Sequence, residues 1–158
     1  MTKEKTCAEL IAVRWESTKA DLTGYMDGTT PYEGDSEMGP FNDYAAHFDY
    51  VEPNTFTGQI EGYWRYQMMF GGPSDEIRFW CKRGRRGDFF LTRATYVYMD
   101  WGDGAEVDVT NEPCIEWLWE VLDERGEVES TYMSAMADYE ELEMGEEAGS
   151  SQALSHGA

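Results

Sequence analysis

Hydrophobic side chains recur with a helical period close to the N-terminus. Over residues 6–22 the apolar positions are Leu10, Ile11, Val13, Trp15 and Leu22. Thr6 stands three residues before Glu9, a spacing at which the two side chains can cap the first turn of a helix. The pattern predicts an N-terminal helix over residues 6–22.

The stretch between Gly24 and Pro53 shows neither a helical nor an alternating period. Gly, Pro, Asp and Asn are frequent there, and these residues favour turns over regular elements. We expect a long irregular connection, which is a common place for functional residues.

Residues 63–109 change to the alternating pattern of β-strands. The aromatic run 63–70 leads into turn residues at 71–74. The next run places two sets of side chains on opposite sides, Ile77, Phe79 and Cys81 against Glu76, Arg78, Trp80 and Lys82. Two further runs, 89–101 and 106–109, follow Gly-containing turns at 83–87 and 102–104. These runs predict an antiparallel meander of about four strands.

The helical period returns after the sheet. Thr110 or Asn111 is expected to cap a helix that begins near Pro113 and ends at Gly126. Its buried face is predicted to consist of Ile115, Leu118, Trp119 and Leu122. A second helix from Val128 is expected to bury Tyr132, Ala135, Met136, Tyr139 and Leu142.

These elements predict one α+β domain over residues 1–144, in which an antiparallel sheet of about four strands packs with an N-terminal helix and two C-terminal helices. A length of 158 residues suits a single domain, and 41% hydrophobic residues are sufficient for one core. Residues 145–158, rich in Gly, Ser and Glu, are expected to form a flexible acidic tail.

Acidic residues outnumber basic ones strongly and unevenly. The chain has 32 Asp and Glu against 12 Lys and Arg, a net charge of -20. Residues 20–64 contain acids but no Lys or Arg, residues 65–93 have a net charge of +4, and residues 94–158 have a net charge of -16. Such a chain repels nucleic acid and anionic membranes, so neither is an expected partner. With no long apolar run and no signal peptide pattern, the expected location is the cytoplasm.

Motifs for catalysis or cofactor binding are absent from the sequence. The histidines are His47 and His156, and no Walker A, GxGxxG, HExxH or GxSxG motif occurs. Cys7, Cys81 and Cys114 lack the spacing of a zinc site or a disulfide framework. We therefore predict a protein that is not an enzyme and has no cofactor. An enzyme of unfamiliar type centred on His47 is the alternative.

Acids cluster around glycine in the segment from Asp100 to Asp108. They fall at positions 1, 4, 7 and 9 of that segment, and the Glu that closes an EF-hand at position 12 is missing. An acidic turn is favoured over a calcium site here, and no metal is predicted.

The turn at 83–87 contains the densest group of basic residues, which we call the basic hairpin: Lys82, Arg83, Arg85 and Arg86. In so acidic a chain these side chains are expected to neutralise nearby acid, to contact an acidic patch of another protein, or to pair with a second copy of this chain as a homodimer. Direct binding of nucleic acid is disfavoured by the net charge.

The first predicted C-terminal helix carries a row of acids without compensating Lys. Like charges four residues apart on a helix cost about 0.2–0.5 kcal/mol per pair, so stability alone does not favour the row. It repeats every helical turn, about 5.4–6 Å, as a regular line of negative charge that a basic groove for DNA or RNA can accept. The predicted partner-binding residues are Glu112, Glu116, Glu120 and Asp123 of this row, with Asp43 and Asp49 from the long connection.

Residues 60–110 resemble small acidic accessory proteins of phages and mobile elements. The resemblance is carried by the aromatic strands, by the run from Gly71 to Glu76 and by the run from Asp100 to Ala105. That class includes anti-CRISPR and antirestriction proteins. The resemblance implies an inhibitor of a host anti-phage defence complex, acting in the cytoplasm of the host cell. It would bind stoichiometrically, through acidic surfaces that mimic nucleic acid, to a basic nucleic-acid-binding channel.

The main alternative explains the acidity by environment. An acidic accessory or protein-interaction domain adapted to high salt would show the same excess of Asp and Glu without any mimicry. The scarcity of Lys beside Arg agrees with that interpretation. The identity of the target and the choice between restriction and CRISPR systems stay open at this point.

Overall fold

The computed structural model describes residues 5–34 and 36–138. Its helices in chain order are α1 (Cys7–Asp27), α2 (Pro113–Glu124) and α3 (residues 127–138), and its strands are β1 (His47–Val51), β2 (Tyr63–Met69), β3 (Ser74–Arg83), β4 (Phe89–Asp100) and β5 (Asp103–Asp108). The predicted tail at 145–158 and the last residues of the predicted domain lie outside the described residues.

The strands form one sheet in the order β1-β2-β3-β4-β5, and every neighbouring pair is antiparallel. The α+β meander with one N-terminal and two C-terminal helices is therefore confirmed. The strand number is five instead of about four. The additional strand, β1, lies in the stretch 24–53 for which we expected only an irregular connection. A strand of five residues is too short to show a clear period by itself, and its pairing with β2 identifies it.

The same stretch also contains the last turn of α1 and a short 3-10 helix (Phe41–Asp43). The N-terminal helix continues to Asp27 because Gly24 does not end it. A Cβ at Gly24 would lie 2.5 Å from the Thr30 hydroxyl oxygen, and the Thr30 N–H donates to the Gly24 carbonyl at 3.0 Å. Gly24 thus permits a close approach of the following turn. The helix ends at Gly28, which has a φ of 84°.

One face of the sheet forms the core with all three helices. Trp64 of β2 donates its indole N–H to the Val128 carbonyl of α3 at 3.0 Å. Each helix also places an aromatic ring against this face, in the pairs Trp15–Tyr96, Trp119–Phe79 and Tyr132–Phe89, with centroids 5.4, 5.1 and 5.0 Å apart. The predicted buried face of α2 is confirmed, since Ile115, Leu118, Trp119 and Leu122 are all buried.

The opposite face of the sheet carries no helix of the described residues. Its side chains alternate with those of the core, as the sequence predicts for β3, where Ile77 and Phe79 are fully buried and Arg78 and Trp80 belong to the other side. Residues 56–61, in the connection between β1 and β2, lie beside this open face. Polar and charged side chains therefore reach solvent there over several strands.

Helix caps agree only in part with the sequence-based expectation. Thr6 caps α1, its hydroxyl oxygen accepting the Glu9 N–H at 3.3 Å. The cap of α2 is Glu112, which makes no side-chain capping bond, and neither Thr110 nor Asn111 occupies that position. The Thr110 side chain binds the sheet instead, since its hydroxyl oxygen accepts the N–H of Ala94 in β4 at 3.0 Å. Val13, one of the apolar positions in the pattern that predicts α1, is 70% exposed.

Asp75 is a carboxylate buried on the core side of the sheet. It is 4% exposed, accepts the Tyr96 hydroxyl at 2.6 Å and accepts the Met69 N–H at 2.9 Å. Burial raises the pKa of Asp75 although both hydrogen bonds favour the ionised form. The folded protein therefore binds this proton more tightly than the unfolded chain does.

Asp75→Asn removes this titration and keeps an acceptor for the Met69 N–H. Wild-type stability declines, through this group, as pH rises from the ordinary carboxyl value of 3.8 toward the raised one. We expect the unfolding free energy of the variant, relative to the wild type, to increase between about pH 4 and pH 7. Urea titrations at several pH values measure this difference. A difference that stays constant with pH would show that the pKa of Asp75 is unshifted.

Trp101 occupies a strained position in the turn between β4 and β5. Asp100 pairs with Asp103, so Trp101 and Gly102 form a two-residue turn with φ values of 46° and 79°. Such turns favour Asn and Gly, and a positive φ is costly for a bulky residue. The Trp101 side chain is 94% exposed, so burial of its ring offsets little of the free energy that the positive φ costs.

Trp101→Asn is expected to stabilise the fold by about 1 kcal/mol, because Asn tolerates a positive φ. Urea denaturation measures the change. Phe70→Ser is the control, since Phe70 is 82% exposed and has no positive φ, and it should change stability by less than about 0.5 kcal/mol. A loss of stability in the Trp101 variant would mean that the indole contributes packing.

Candidate functional site

The outward face of α2 carries the acidic stripe, which we define as Glu116, Glu120 and Glu124. These residues are exposed and four positions apart, while Ile115 and Leu118 hold the other side of the helix in the core. No residue of the stripe forms a salt bridge within the described part of the chain. The stripe is therefore a line of uncompensated charge on a fixed support.

Glu112 differs from the other predicted members of this row. It precedes α2 and forms a salt bridge with Lys19 of α1, with a distance of 3.0 Å between Nζ and Oε2. The ion pair joins the second half of α1 to the start of α2 and neutralises this carboxylate. Glu112 consequently adds little negative charge to the surface that Glu116 and Glu120 form.

Asp123 belongs to a group of carboxylates at the end of α2. Partial burial raises its pKa, and the neighbouring charges of Asp88, Glu124 and Glu129 raise it further. These four residues form the acidic cluster. Glu124 thus belongs both to the stripe and to this cluster, while Asp88 comes from the turn between β3 and β4, beside the cations of the basic hairpin.

The two acids predicted from the long connection lie apart. Asp43 is exposed in the 3-10 helix, and Phe41 of that helix contacts Trp117 of α2 with ring centroids 5.2 Å apart. Asp43 therefore lies in a segment that packs against α2. Asp49 is on β1, opposite Arg65, and its two carboxylate oxygens accept the Arg65 guanidinium at 3.0 and 2.7 Å. Asp49 belongs to the open face and is neutralised.

His47 lies on the same edge strand as Asp49. Its Nε2 is 3.5 Å from Asp49 Oδ2, and more than half of its side chain is exposed. The partner carboxylate already receives two bonds from Arg65. The pair is thus an open surface arrangement at the edge of the sheet.

One side chain of the basic hairpin packs on aromatic rings, and the other three form no salt bridge among the described residues. The Arg83 guanidinium lies over the rings of Phe89 and Tyr132, at 5.3 and 5.2 Å. Lys82, Arg85 and Arg86 are exposed and form no salt bridge with any carboxylate that the structure describes. The hairpin leaves these three cations available for a partner.

Two of the acids between Asp100 and Asp108 accept hydrogen bonds from backbone N–H groups. Asp103 accepts the backbone N–H of Cys7 at 2.8 Å, and Asp108 accepts that of Thr110 at 2.9 Å. These backbone bonds lower the pKa of Asp103 and of Asp108.

In the two described ranges no group of three or more His, Cys, Asp or Glu is arranged to hold a metal ion. Nor does any helix there combine the length and apolar character of a membrane span.

Sequence reasoning missed part of the acidic surface. Glu124 follows Glu120 by four residues, so the helical period alone could have included it. Asp88 and Glu129 come from a hairpin turn and from another helix, and no spacing in the sequence relates them to Asp123.

Comparisons with known proteins give no match for this chain. No protein-family model matches it, and searches of curated proteins and of solved structures find none that does.

Glu120→Lys is expected to increase stability. It replaces two repulsive contacts, with Glu116 and Glu124, by attractive ones at the same spacing, a gain of about 0.8–2 kcal/mol at low salt. Glu120→Gln, which removes only the repulsion, should give about half of that. Thermal and urea unfolding in low and high salt measure both. Destabilisation by the Lys variant would show that Glu120 has a favourable partner in the folded chain.

Proposed function

We propose that this protein inhibits a host anti-phage defence complex, a CRISPR–Cas or restriction nuclease. It binds the complex stoichiometrically and occupies a basic nucleic-acid-binding channel in place of DNA or RNA. The observation that carries the proposal is the acidic stripe, a row of exposed carboxylates that form no salt bridge among the described residues.

Regular spacing supports the mimicry. Neighbouring stripe carboxylates are separated by four residues, about 6 Å along the helix axis, whereas one strand of DNA carries a charge every 3.4 Å or so. The acidic cluster raises the charge density at one end of the stripe. A channel that binds phosphates with Lys and Arg offers opposite charges to this row, which has about half the charge density of one DNA strand.

The placement of the cations also supports it. Four basic side chains pair with acids that are not members of the stripe, in the salt bridges Lys19–Glu112, Arg65–Asp49, Arg78–Glu76 and Arg125–Glu127. Each pair neutralises an acid elsewhere and leaves the outward face of α2 unbalanced. A surface selected only for solubility mixes both signs.

Rigidity adds to affinity, because a preformed surface loses little conformational entropy on binding. Helix α2 is anchored by fully buried side chains, and Trp119 packs on Phe79 of the sheet. The charges are therefore presented in one arrangement. Association should be fast at low salt and should weaken as salt screens the carboxylates, over about 10 Å at 0.1 M.

A charge-reversed pair, Glu116→Lys with Glu120→Lys, tests the proposal. Cells carrying a defined restriction or CRISPR–Cas system express either the wild type or the variant, and phage plating efficiency is measured. Wild-type protein should protect the phage, and the variant should lose at least about tenfold of that protection, since an interfacial like-charge contact costs several kcal/mol.

The matched control is Glu33→Lys with Glu37→Lys, two exposed acids of the connection before β1. It changes the net charge by the same amount and should retain inhibition. Equal effects of both pairs would indicate that only total charge matters, as expected for salt adaptation. Retention of full inhibition by the Glu116 and Glu120 variant would refute mimicry by α2. The stability of all variants is measured in parallel, so that unfolding is not mistaken for lost binding.

A further inference from the structure

The open face of the sheet contains a cleft of about 570 Å³, away from the acidic stripe. Its floor consists of Tyr63, Arg78, Trp80 and Arg93, and its rim consists of residues 56–61. We call it the arginine cleft. The volume lies in the range of small-molecule sites, about 300–1,000 Å³.

The floor of the arginine cleft is a stack of cations and rings. The Arg93 guanidinium lies 3.9 Å from the centre of the Trp80 ring, and that of Arg78 lies 4.9 Å from the centre of the Tyr63 ring. The Tyr63 and Trp80 rings are 5.5 Å apart. Stacking holds a guanidinium in one plane and leaves the N–H donors around its edge free to bind an oxyanion in a bidentate manner.

The two arginines differ in how their charge is balanced. Arg78 donates to Glu76 at 2.8 Å and lies 3.9 Å from Glu106. Arg93 has no carboxylate within 4.0 Å among the described residues. Arg93 is exposed, and its charge helps to lower the pKa of Asp108, but the two form no ion pair. The edge of its guanidinium therefore has no carboxylate bound to it. Its donors point to an anion supplied from outside.

The rim adds apolar contacts and acceptors. Phe56 is 51% exposed and Ile60 is 83% exposed, an unfavourable state for large apolar side chains unless something covers them. Glu61 and Glu106 also line the cleft. Their carboxylates repel a second anionic group and accept hydrogen bonds from hydroxyl or amino groups.

We propose that the arginine cleft binds a small molecule with one oxyanion joined to a planar apolar group that carries hydrogen-bond donors, as a mononucleotide does. The oxyanion binds the edge of Arg93, the planar group lies against Phe56 and Ile60, and the donors face Glu61 and Glu106. The oxyanion can be a phosphate or a carboxylate, because both match the guanidinium edge. This binding is independent of the proposed inhibition through α2.

Isothermal titration with AMP, adenosine, inorganic phosphate and indole-3-acetate tests the proposal. Binding of AMP but not adenosine would support a phosphate ligand, and binding of indole-3-acetate but not AMP would support a carboxylate ligand. Phosphate alone should bind more weakly than either, because it lacks the planar group. No binding of AMP or indole-3-acetate at about 5 mM, a free energy weaker than about -3 kcal/mol, would overturn the proposal.

Arg93→Gln should weaken binding at least about tenfold, since hydrogen bonds to charged groups contribute about 1.5–3 kcal/mol. Arg93→Lys keeps the charge but lacks the planar fork and should show an intermediate loss. Arg85→Gln removes the same charge from the basic hairpin and should leave binding unchanged within about twofold. Amide and indole NMR spectra of each variant verify the fold. Equal binding by the Arg93→Gln variant and the wild type would place the ligand elsewhere and overturn the assignment.

Discussion

The indole of Trp64 contacts residues of β1, β4, α2 and α3, and the arrangement of the C-terminal helices depends on it. Its ring packs on Tyr50 of β1 at 4.7 Å, on Phe89 of β4 at 4.8 Å and on Trp119 of α2 at 5.5 Å. Its N–H is satisfied by the Val128 carbonyl of α3. Because a buried indole needs both packing and a hydrogen-bond acceptor, the sheet and two helices must meet at this point.

This contact places the helices on one face of the sheet, so the two faces differ in what covers them. One face is covered by three helices, so their outward sides define much of the acidic surface, including the stripe on α2. The other face lacks a described helix and can hold long charged side chains in cross-strand pairs, such as Asp49 with Arg65. Three arginines of the chain's basic middle segment, Arg65, Arg78 and Arg93, lie on this open face, where Arg78 and Arg93 stack on rings. The open face therefore carries both charge types, whereas the outward face of α2 carries acids alone.

Much of the fold is visible in the sequence because local periods record burial. The alternation along β3 and the i, i+3, i+4, i+7 pattern of α2 follow from the geometry of strands and helices, and the structure confirms both. The candidate site is less accessible to this reasoning. Glu116 and Glu120 are found by period, whereas the pairing of Glu112 with Lys19 and of Asp49 with Arg65 depends on which segments become neighbours. The position of a charged residue in the sequence does not show whether a residue of opposite charge lies near it in the fold.

The sequence by itself determined the types of the long elements, the core sides of β3 and α2, the extreme acidity and its segregation along the chain, because these depend only on residue type and short-range spacing. The tertiary structure decided which acids remain uncompensated. It joined Asp88 and Glu129 to Asp123, removed Glu112 and Asp49 from the acidic surface, and stacked Arg93 on Trp80. Electrostatic coupling falls off with distance through space, and residues far apart in the chain become neighbours only when the sheet and helices assemble.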